Sequence, residues 1–494
     1  MKDELALLLA DGYKHVHAEQ FPKGLTKLVS YVTPRMSRLE SQDHMILFGL
    51  QAFLKTYIVD YFEKNFFAIP ADDVAKEYQR VLDPMLGAGN YNIQKVVDLR
   101  QLGYLPLEFK ALPEGTKVPM HVPCIEISNT HPDFAWVVQW CESLLSSEIW
   151  KPCVHANVGY SYRQVVNKYY DLTVDDNVPR DKAISDFGFR GMSCLQEAMK
   201  ASDAWLLSFS GTATIPAIPY LEQNYNCDNT TEHFASNAIS TEHAVMASNF
   251  AVDGDEITMI KRLLTEIYPN ASFSMVSDTY DLFNLIDNLL PQCREEIMNH
   301  NGKLLIRPDS GDIVEVAVKT VEHLYDLFPG PVNSKGYKTL DPHIGCVYGD
   351  GVTQQRAELI YVFLMNKGFA ANCISFGAGS FSFNAIEEKG FLQPYTRDTF
   401  SVAIKATYGI VNGKEIMIFK DPVTDKGKGN GFKKSQKGLC FVYEDESGEL
   451  CYKDEYLKNT LPQGNMLETV FKDGKFFKEY SLNDIRQRLH GGKF

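Results

Sequence analysis

Four short apolar runs, each halted by acidic, basic or glycine residues, limit what this chain can fold into: 273-FSMVSDTYD-281, 303-KLLIRPDSGD-312, 344-IGCVYGDGV-352 and 373-CISFGAGSF-381. Each run is four to six residues long and rich in β-branched or aromatic side chains, so it reads as a buried strand. Asp278, Asp309 and Asp350 follow the first three runs at intervals of about 30 to 40 residues, the length of a strand plus its returning helix. Parallel strands that all end in polar groups bring those groups to one face, where barrels of this kind carry their chemistry. The pattern predicts an α/β chain built on a β/α barrel, and an enzyme whose active site lies at the strand ends.

At 494 residues the chain is too long for one compact domain, and its 45% hydrophobic content supports more than one core. The net charge of −14 argues against a general nucleic-acid or anionic-membrane binder, while leaving room for a local cationic pocket. Ten cysteines without a C-x-x-C spacing fit reduced thiols in a cytoplasmic protein. The start, MKDELALLLADGYKHVH, lacks the apolar core of a signal peptide, and no run approaches the roughly 20 apolar residues of a membrane span. The expectation is a soluble cytoplasmic enzyme with neither nucleic acid nor membrane as partner.

Residues 1–20 look like a helix followed by a polar turn, and 24-GLTKLVSYVTPR-35 alternates like a strand. Helical spacing runs through 45–66 and 133–150, and the proline-broken 105–130 suggests an antiparallel β region. The β/α pattern extends from about Tyr160 to Gly390. After Arg397 come hairpins, one with an Asn-Gly turn at 412–413. The Gly- and Lys-rich 425–438 reads as a mobile loop, with a phosphate-binding lid as the minor alternative, and Ser481 is placed to cap a last helix. The domains expected are a barrel over 159–394 and a discontinuous, β-rich α+β domain from 1–158 and 395–494.

Strand-end carboxylates can bind a metal, hold a ribose by its hydroxyls or act as acid and base; the bland alternative is that each caps the next helix. The loops 349-GDG-351 and 377-GAGS-380 let backbone N–H groups approach a phosphate closely. Arg307 and Arg190 each sit where a guanidinium suits a planar, oxygen-bearing ligand, or else pairs with a local Asp. His243 follows Ser240, Thr241 and Glu242, with Ser240 or Thr241 as cap of a helix holding Glu242 and His243 in its first turn; there His243 can be a base, a phosphate acceptor or a cap contact. His15 and His17 form an H-x-H that some metal hydrolases use, but two exposed histidines is the preferred reading.

Taken in order, 11-DGYK-14, 186-DFGFRG-191, 211-GT-212, 241-TEH-243, 277-SDTYD-281, 307-RPDSG-311, 333-NSKGYK-338, 349-GDG-351, 396-TRD-398 and 419-FKDP-422 resemble the nicotinamide phosphoribosyltransferase family, of the type II phosphoribosyltransferases, over nearly the whole chain. The resemblance implies an irregular β/α barrel, a homodimer with active sites at the interface, and transfer of 5-phosphoribose from phosphoribosyl pyrophosphate to nicotinamide in NAD salvage. It implies Mg²⁺, held mainly through substrate phosphates, and ATP as co-substrate through a phosphohistidine. On matching positions, Phe187 and Tyr13 sandwich the pyridine, with Tyr13 and Asp11 supplied by the partner subunit, and Arg190 and Arg307 border the ring. His243 is the phosphorylated residue, supported by Glu242 and oriented by Asp278. Asp309, Gly349 and Asp350 hold the ribose region; Gly379, Ser380, Arg397 and Lys405 grip the phosphate; and Arg35 helps bind the anionic substrate.

Three positions depart from the family pattern. Ala213 stands where an Asp usually accepts a hydrogen bond from the amide, Ser185 replaces a His, and 381–395 is longer than expected. A missing carboxylate at 213 removes both an attraction for the amide and a repulsion for nicotinate, so nicotinate phosphoribosyltransferase is the nearest alternative. A metal-dependent barrel hydrolase using His15 and His17, and a non-catalytic binding protein, are remote ones.

Overall fold

All four apolar runs form strands, and all four lie in one parallel sheet. The computed structural model describes residues 4–349, 351–388, 390–422, 434–492 and 494. The barrel strands are β1 (Ile184–Phe187), β2 (Gly211–Thr212), β3 (Ile239–Ser240), β4 (Phe273–Val276), β5 (Leu304–Arg307), β6 (Ile344–Tyr348) and β7 (Ile374–Gly379). Their order is β2-β1-β7-β6-β5-β4-β3, with every neighbouring pair parallel. Ser236, just before β3, bridges in parallel to Gly211 of β2, so the two edges of the sheet approach each other and it curls as a β/α barrel does. Phe273, Met275, Leu304, Ile306, Ile344, Ile374 and Phe376 are essentially fully buried along it. Each such side chain contributes roughly 1.5–3 kcal/mol of burial.

Helices return between the strands: α1 (Leu195–Trp205), α2 (His243–Asp253), α3 (Ile313–Leu327) and α4 (Gln354–Asn366). This unit comprises Asn157–Glu222, Asp228–Pro394 and Phe494. The other comprises Met1–Ala156, Gln223–Cys227 and Tyr395–Lys493. Its core is a seven-stranded sheet that interleaves the two chain ends: Leu25–Thr33 lies between Ala403–Val411 and Ile125–Asn129, and Leu107–Ala111 pairs with Glu468–Lys472. The Asn412–Gly413 turn has positive φ at both residues, 49° and 76°, as a type I′ hairpin turn requires. Ser481 caps Leu482–His490 through a full capping box with Asp484.

Several expected elements take a different form. Residues 6–20 are not one helix but two 3₁₀ turns, Ala6–Leu8 and Gly12–Val16, and a short helix, His17–Gln20. Asp11 is extended between them, bonded to Ser143 through its backbone N–H and its carboxylate. Met45 and Ile46 pair as a strand with Lys117–Pro119, and the helix begins at Leu50, after Gly49 at φ 101°. The helix expected over 133–150 continues from Glu142 to Thr173, so the stretch near Tyr160 is helical. Pro152 removes only one N–H, and the buried Ile149, Cys153 and Val154 around it hold the helix together. His15 is not exposed: it is buried against Tyr78, 2.7 Å from its hydroxyl, and burial pulls its pKa down to about 4. His17 is half-buried. Most of the loop expected over 425–438, with its phosphate-lid alternative, lies outside the described residues.

Candidate active site

Strands β4 and β5 each end in a short loop in which two jobs are divided between two residues three apart. Asp281 accepts the N–H of Asn284, Asp312 that of Glu315 and Thr353 that of Arg356, so these later residues cap the helices. Asp278 and Asp309, three residues earlier, are thereby released from capping. Asp278 instead accepts the N–H of Asp309 at 2.8 Å and the hydroxyl of Ser310 at 2.5 Å through Oδ2, while its buried Oδ1 has no hydrogen-bond partner. Asp350 lies outside the described residues.

His243 opens α2, and its Nε2 stands 3.9 Å from Asp278 Oδ1 and 3.8 Å from Asp309 Oδ2. Its Nδ1 lies 3.1 Å from the Thr279 hydroxyl, a contact that the sequence reading did not foresee. The ring is half exposed, with two carboxylates beside Nε2 and the Thr279 hydroxyl beside Nδ1. Glu242, not Ser240 or Thr241, is the N-cap residue, and its side chain makes no cap bond. Thr241 is committed elsewhere, because its hydroxyl accepts the Val276 N–H at 3.0 Å and fastens the start of α2 to β4.

Arg307, the last residue of β5, donates from Nη2 to the Thr241 carbonyl at 2.7 Å, and its Nε is buried without a partner. A Cβ on Gly349 would lie 2.9 Å from Asp309 Oδ1 and 3.4 Å from Arg307 Cδ, so this glycine is the floor over which both side chains pass. One strand further on, the Phe187 ring packs against β7, Cδ2 and Cε2 nearest: a Cβ on Gly377 would come within 2.1 Å of it. Gly191 likewise makes room for the hydroxyl of Ser380, and Asn384 donates to the Gly191 carbonyl at 3.2 Å. Arg190 is exposed on the turn that follows Phe187, and Ala213 is half-buried just beyond β2. Phe187 and Gly379 pair across β1 and β7, so His243, Asp278, Arg307, Asp309, Gly349, Gly379, Ser380 and Phe187 share the C-terminal rim of one sheet.

Ser185 faces the backbone of Gly211, where a Cβ would be 2.2 Å from its hydroxyl. The long segment after Ser380 forms a short helix to Asn384 and a hairpin of Ala385–Glu388 with Phe391–Pro394. Gln355 of α4 holds it through the Glu387 carbonyl at 3.0 Å.

The other five candidate residues belong to the second unit, in two groups. Lys405 lies 3.3 Å and Lys14 2.5 Å from the two carboxylate oxygens of Glu142, next to the Ser143 that holds Asp11; Tyr13 nearby is 56% exposed. Arg35 donates from its backbone to Phe400 at 3.0 Å and from Nε to Ser401 at 3.3 Å, in the loop that carries Arg397, and Arg397 lies 3.2 Å from Asp398. Among the described residues no helix is long and apolar enough to cross a membrane.

Comparison with known proteins finds similarity over nearly the whole chain. Residues 182–475 match the nicotinate phosphoribosyltransferase (NAPRTase) family, and residues 5–80 match the nicotinamide phosphoribosyltransferase N-terminal domain. Nicotinamide phosphoribosyltransferase of Acinetobacter baylyi is 35% identical over 97% of this chain and 96% of its own length. That of Xanthomonas campestris is 31% identical over 97% of each. The crystal structure of human nicotinic acid phosphoribosyltransferase superposes with a TM-score of 0.58 at 15% identity, covering 98% of this chain and 93% of that one.

Proposed function

This chain belongs to the nicotinate phosphoribosyltransferase family, and we propose that it transfers the phosphoribosyl group of phosphoribosyl pyrophosphate to nicotinamide, releasing pyrophosphate and nicotinamide mononucleotide for NAD salvage. The observation that carries this reading is the end-to-end similarity to relatives named for that activity, together with their characteristic N-terminal domain. The chemistry of the rim supports it. Loss of pyrophosphate builds positive charge at C1 of the ribose, which Asp309 and Asp278 are placed to stabilise, and negative charge on the leaving group. Arg307 and the loops at Gly349 and Gly379 offer a cation and close backbone N–H groups for the phosphates. The pyridine nitrogen is already a nucleophile, so the base needs aim rather than deprotonation, and Phe187 supplies a flat face for it.

Two further roles belong to the same reading. His243, flanked by Asp278 and Asp309, accepts a phosphoryl group from ATP, and hydrolysis of the phosphohistidine draws the reaction toward product. Mg²⁺ fits the buried, unpartnered Oδ1 of Asp278 with Asp309 beside it, since Mg²⁺ takes one or two carboxylates and leaves its other positions to phosphates and water. When bound it would neutralise charge on the departing pyrophosphate. The active form is a homodimer in which Asp11 and the exposed Tyr13 ring of the partner complete the pocket, with Arg35, Arg397 and Lys405 gripping phosphate.

Ala213 favours a second reading, nicotinate as the base, because no carboxylate at that position repels one. The deciding experiment mixes the protein with phosphoribosyl pyrophosphate, Mg²⁺ and either base, with and without ATP, and follows product mass. Nicotinamide mononucleotide as the main product is expected; nicotinate mononucleotide would mean that the base is wrong, and no nucleotide from either would overturn the transferase reading.

A further inference from the structure

Between Ser185 and Phe187 lies a buried carboxylate to which neither the motifs nor the mechanism gives a task. Asp186 accepts the Gly188 N–H at 2.7 Å, the Thr212 hydroxyl at 2.9 Å and the Thr214 hydroxyl at 2.8 Å. Its backbone carbonyl accepts the Ala213 N–H at 2.9 Å. Thr212 Oγ1 in turn accepts from the Thr214 N–H at 2.9 Å and lies 2.8 Å from Ser202 Oγ on α1. The β1–β2 ladder stops at the pair Asp186–Thr212. Beyond that pair, the carboxylate and the Ala213 bond hold the two strand ends together.

We propose that Asp186 is a positioning residue for base recognition, an inference that rests on the rim being the pyridine pocket. On one side it fixes the turn that presents Phe187 and Arg190; on the other it fixes Thr212–Thr214, the segment carrying Ala213. An ionised carboxylate is acceptor-only, so the N–H and both hydroxyls must point into it, and charge-assisted bonds are stronger than neutral ones. An amide at 186 would place an NH₂ group against hydroxyls that now donate, and the two walls of the pocket would lose their common anchor. The separation between the stacking ring and position 213 is what Asp186 sets.

The test separates the two substrates. Thr214→Val keeps shape and removes one of the three bonds, Thr214→Ser keeps the hydroxyl, and Asp186→Asn disturbs the centre. Steady-state kinetics should show KM for nicotinamide raised roughly 5- to 10-fold in Thr214→Val and further in Asp186→Asn, because small displacements of positioning groups are costly. KM for phosphoribosyl pyrophosphate should stay within about twofold, and Thr214→Ser should restore nicotinamide KM. A parallel loss in both KM values and kcat together with a fall in melting temperature, or no change in nicotinamide KM, would overturn the role. If the wild type uses only nicotinate, the base is misassigned, and the same split measured with nicotinate decides for or against Asp186. A wild type inactive on both bases overturns the pocket reading and this inference with it.

Discussion

Replacing Gly377 by alanine is the sharpest probe of the proposed seat of the base on Phe187. A Cβ there would stand 2.1, 2.4 and 3.0 Å from Cδ2, Cε2 and Cγ of Phe187, whereas ordinary contact begins at 3.4 Å. The ring must therefore retreat by at least about 1.3 Å, or β7 must bend away from β1. Overpacking of this size costs about 1–3 kcal/mol of stability. An aromatic stack contributes about 0.5–1.5 kcal/mol beyond its area, so losing its alignment should raise KM for the base roughly 2- to 13-fold. Gly379, two residues along the same strand, is the control: a Cβ there meets nothing within 4 Å, yet it would stand where a phosphate is proposed to approach. Gly377→Ala should weaken the base and lower the melting temperature, while Gly379→Ala should spare the melting temperature and weaken phosphoribosyl pyrophosphate. Initial rates with each substrate varied in turn, plus thermal melts, give all the numbers. An unchanged base KM in Gly377→Ala, or a phosphoribosyl pyrophosphate KM that rises equally, would refute the placement of the base on Phe187.

Four other outcomes are expected. His243→Ala should lose the ATP-dependent gain in product while slow transfer continues, as read by product formed with and without ATP; retained ATP coupling would remove the role given to His243. Ala213→Asp should shift the ratio of kcat/KM toward nicotinamide over nicotinate about tenfold, the value of roughly one charged hydrogen bond, and an unchanged ratio would show that position 213 does not face the ring substituent. Burial holds His15 neutral, with its pKa lowered from 6.5 to about 4, so the folded state resists its protonation. That contribution is complete above pH 6.5 and falls as pH drops toward 4, by up to about 3 kcal/mol; His15→Gln should flatten this part of the curve of melting temperature against pH. Asp203 is fully buried with neither oxygen bonded, and burial raises its pKa well above the carboxylate range. The neutral form suits the fold, so its stability is present at low pH and lost as pH rises; Asp203→Asn should stabilise by about 1–3 kcal/mol at neutral pH, more at higher pH, measured by denaturant melts.

The barrel was legible because strands such as 273-FSMV-276 and 344-IGCVY-348 are buried on both faces, which leaves continuous apolar runs between polar loops. In the second unit, the strand at 25–33 and the hairpin at the Asn-Gly turn were legible from local pattern. What local patterns could not show were long-range partners. His15 is buried because Tyr78, 63 residues away, provides its bond, and the first residues cannot continue as one helix because Ser143 holds Asp11. The capping of α2 was misplaced for the same reason: Thr241 looks like a cap until Val276, 35 residues on, claims its hydroxyl. The spacing that frees Asp278 and Asp309 was on view in SDTYD and DSGD, since a second acid three residues later can serve as the cap. Thr279 had no comparable signal, because a hydroxyl beside a histidine is common in loops.

The same contacts explain why glycines, more than ligating residues, set the geometry of this rim. A reaction that needs little proton transfer depends on the placement of a ring, a ribose and a phosphate chain. Side chains that hold such groups must be rigid, and the tightest support for a side chain is a backbone with no side chain of its own. Phe187 lies on Gly377, Asp309 and Arg307 cross Gly349, and Ser380 fills the space at Gly191. A methyl group at any of these points moves a side chain proposed to bind substrate without removing a single donor or acceptor. Their substitution should therefore separate positioning from chemistry more cleanly than removal of the carboxylates, which alters charge and shape together.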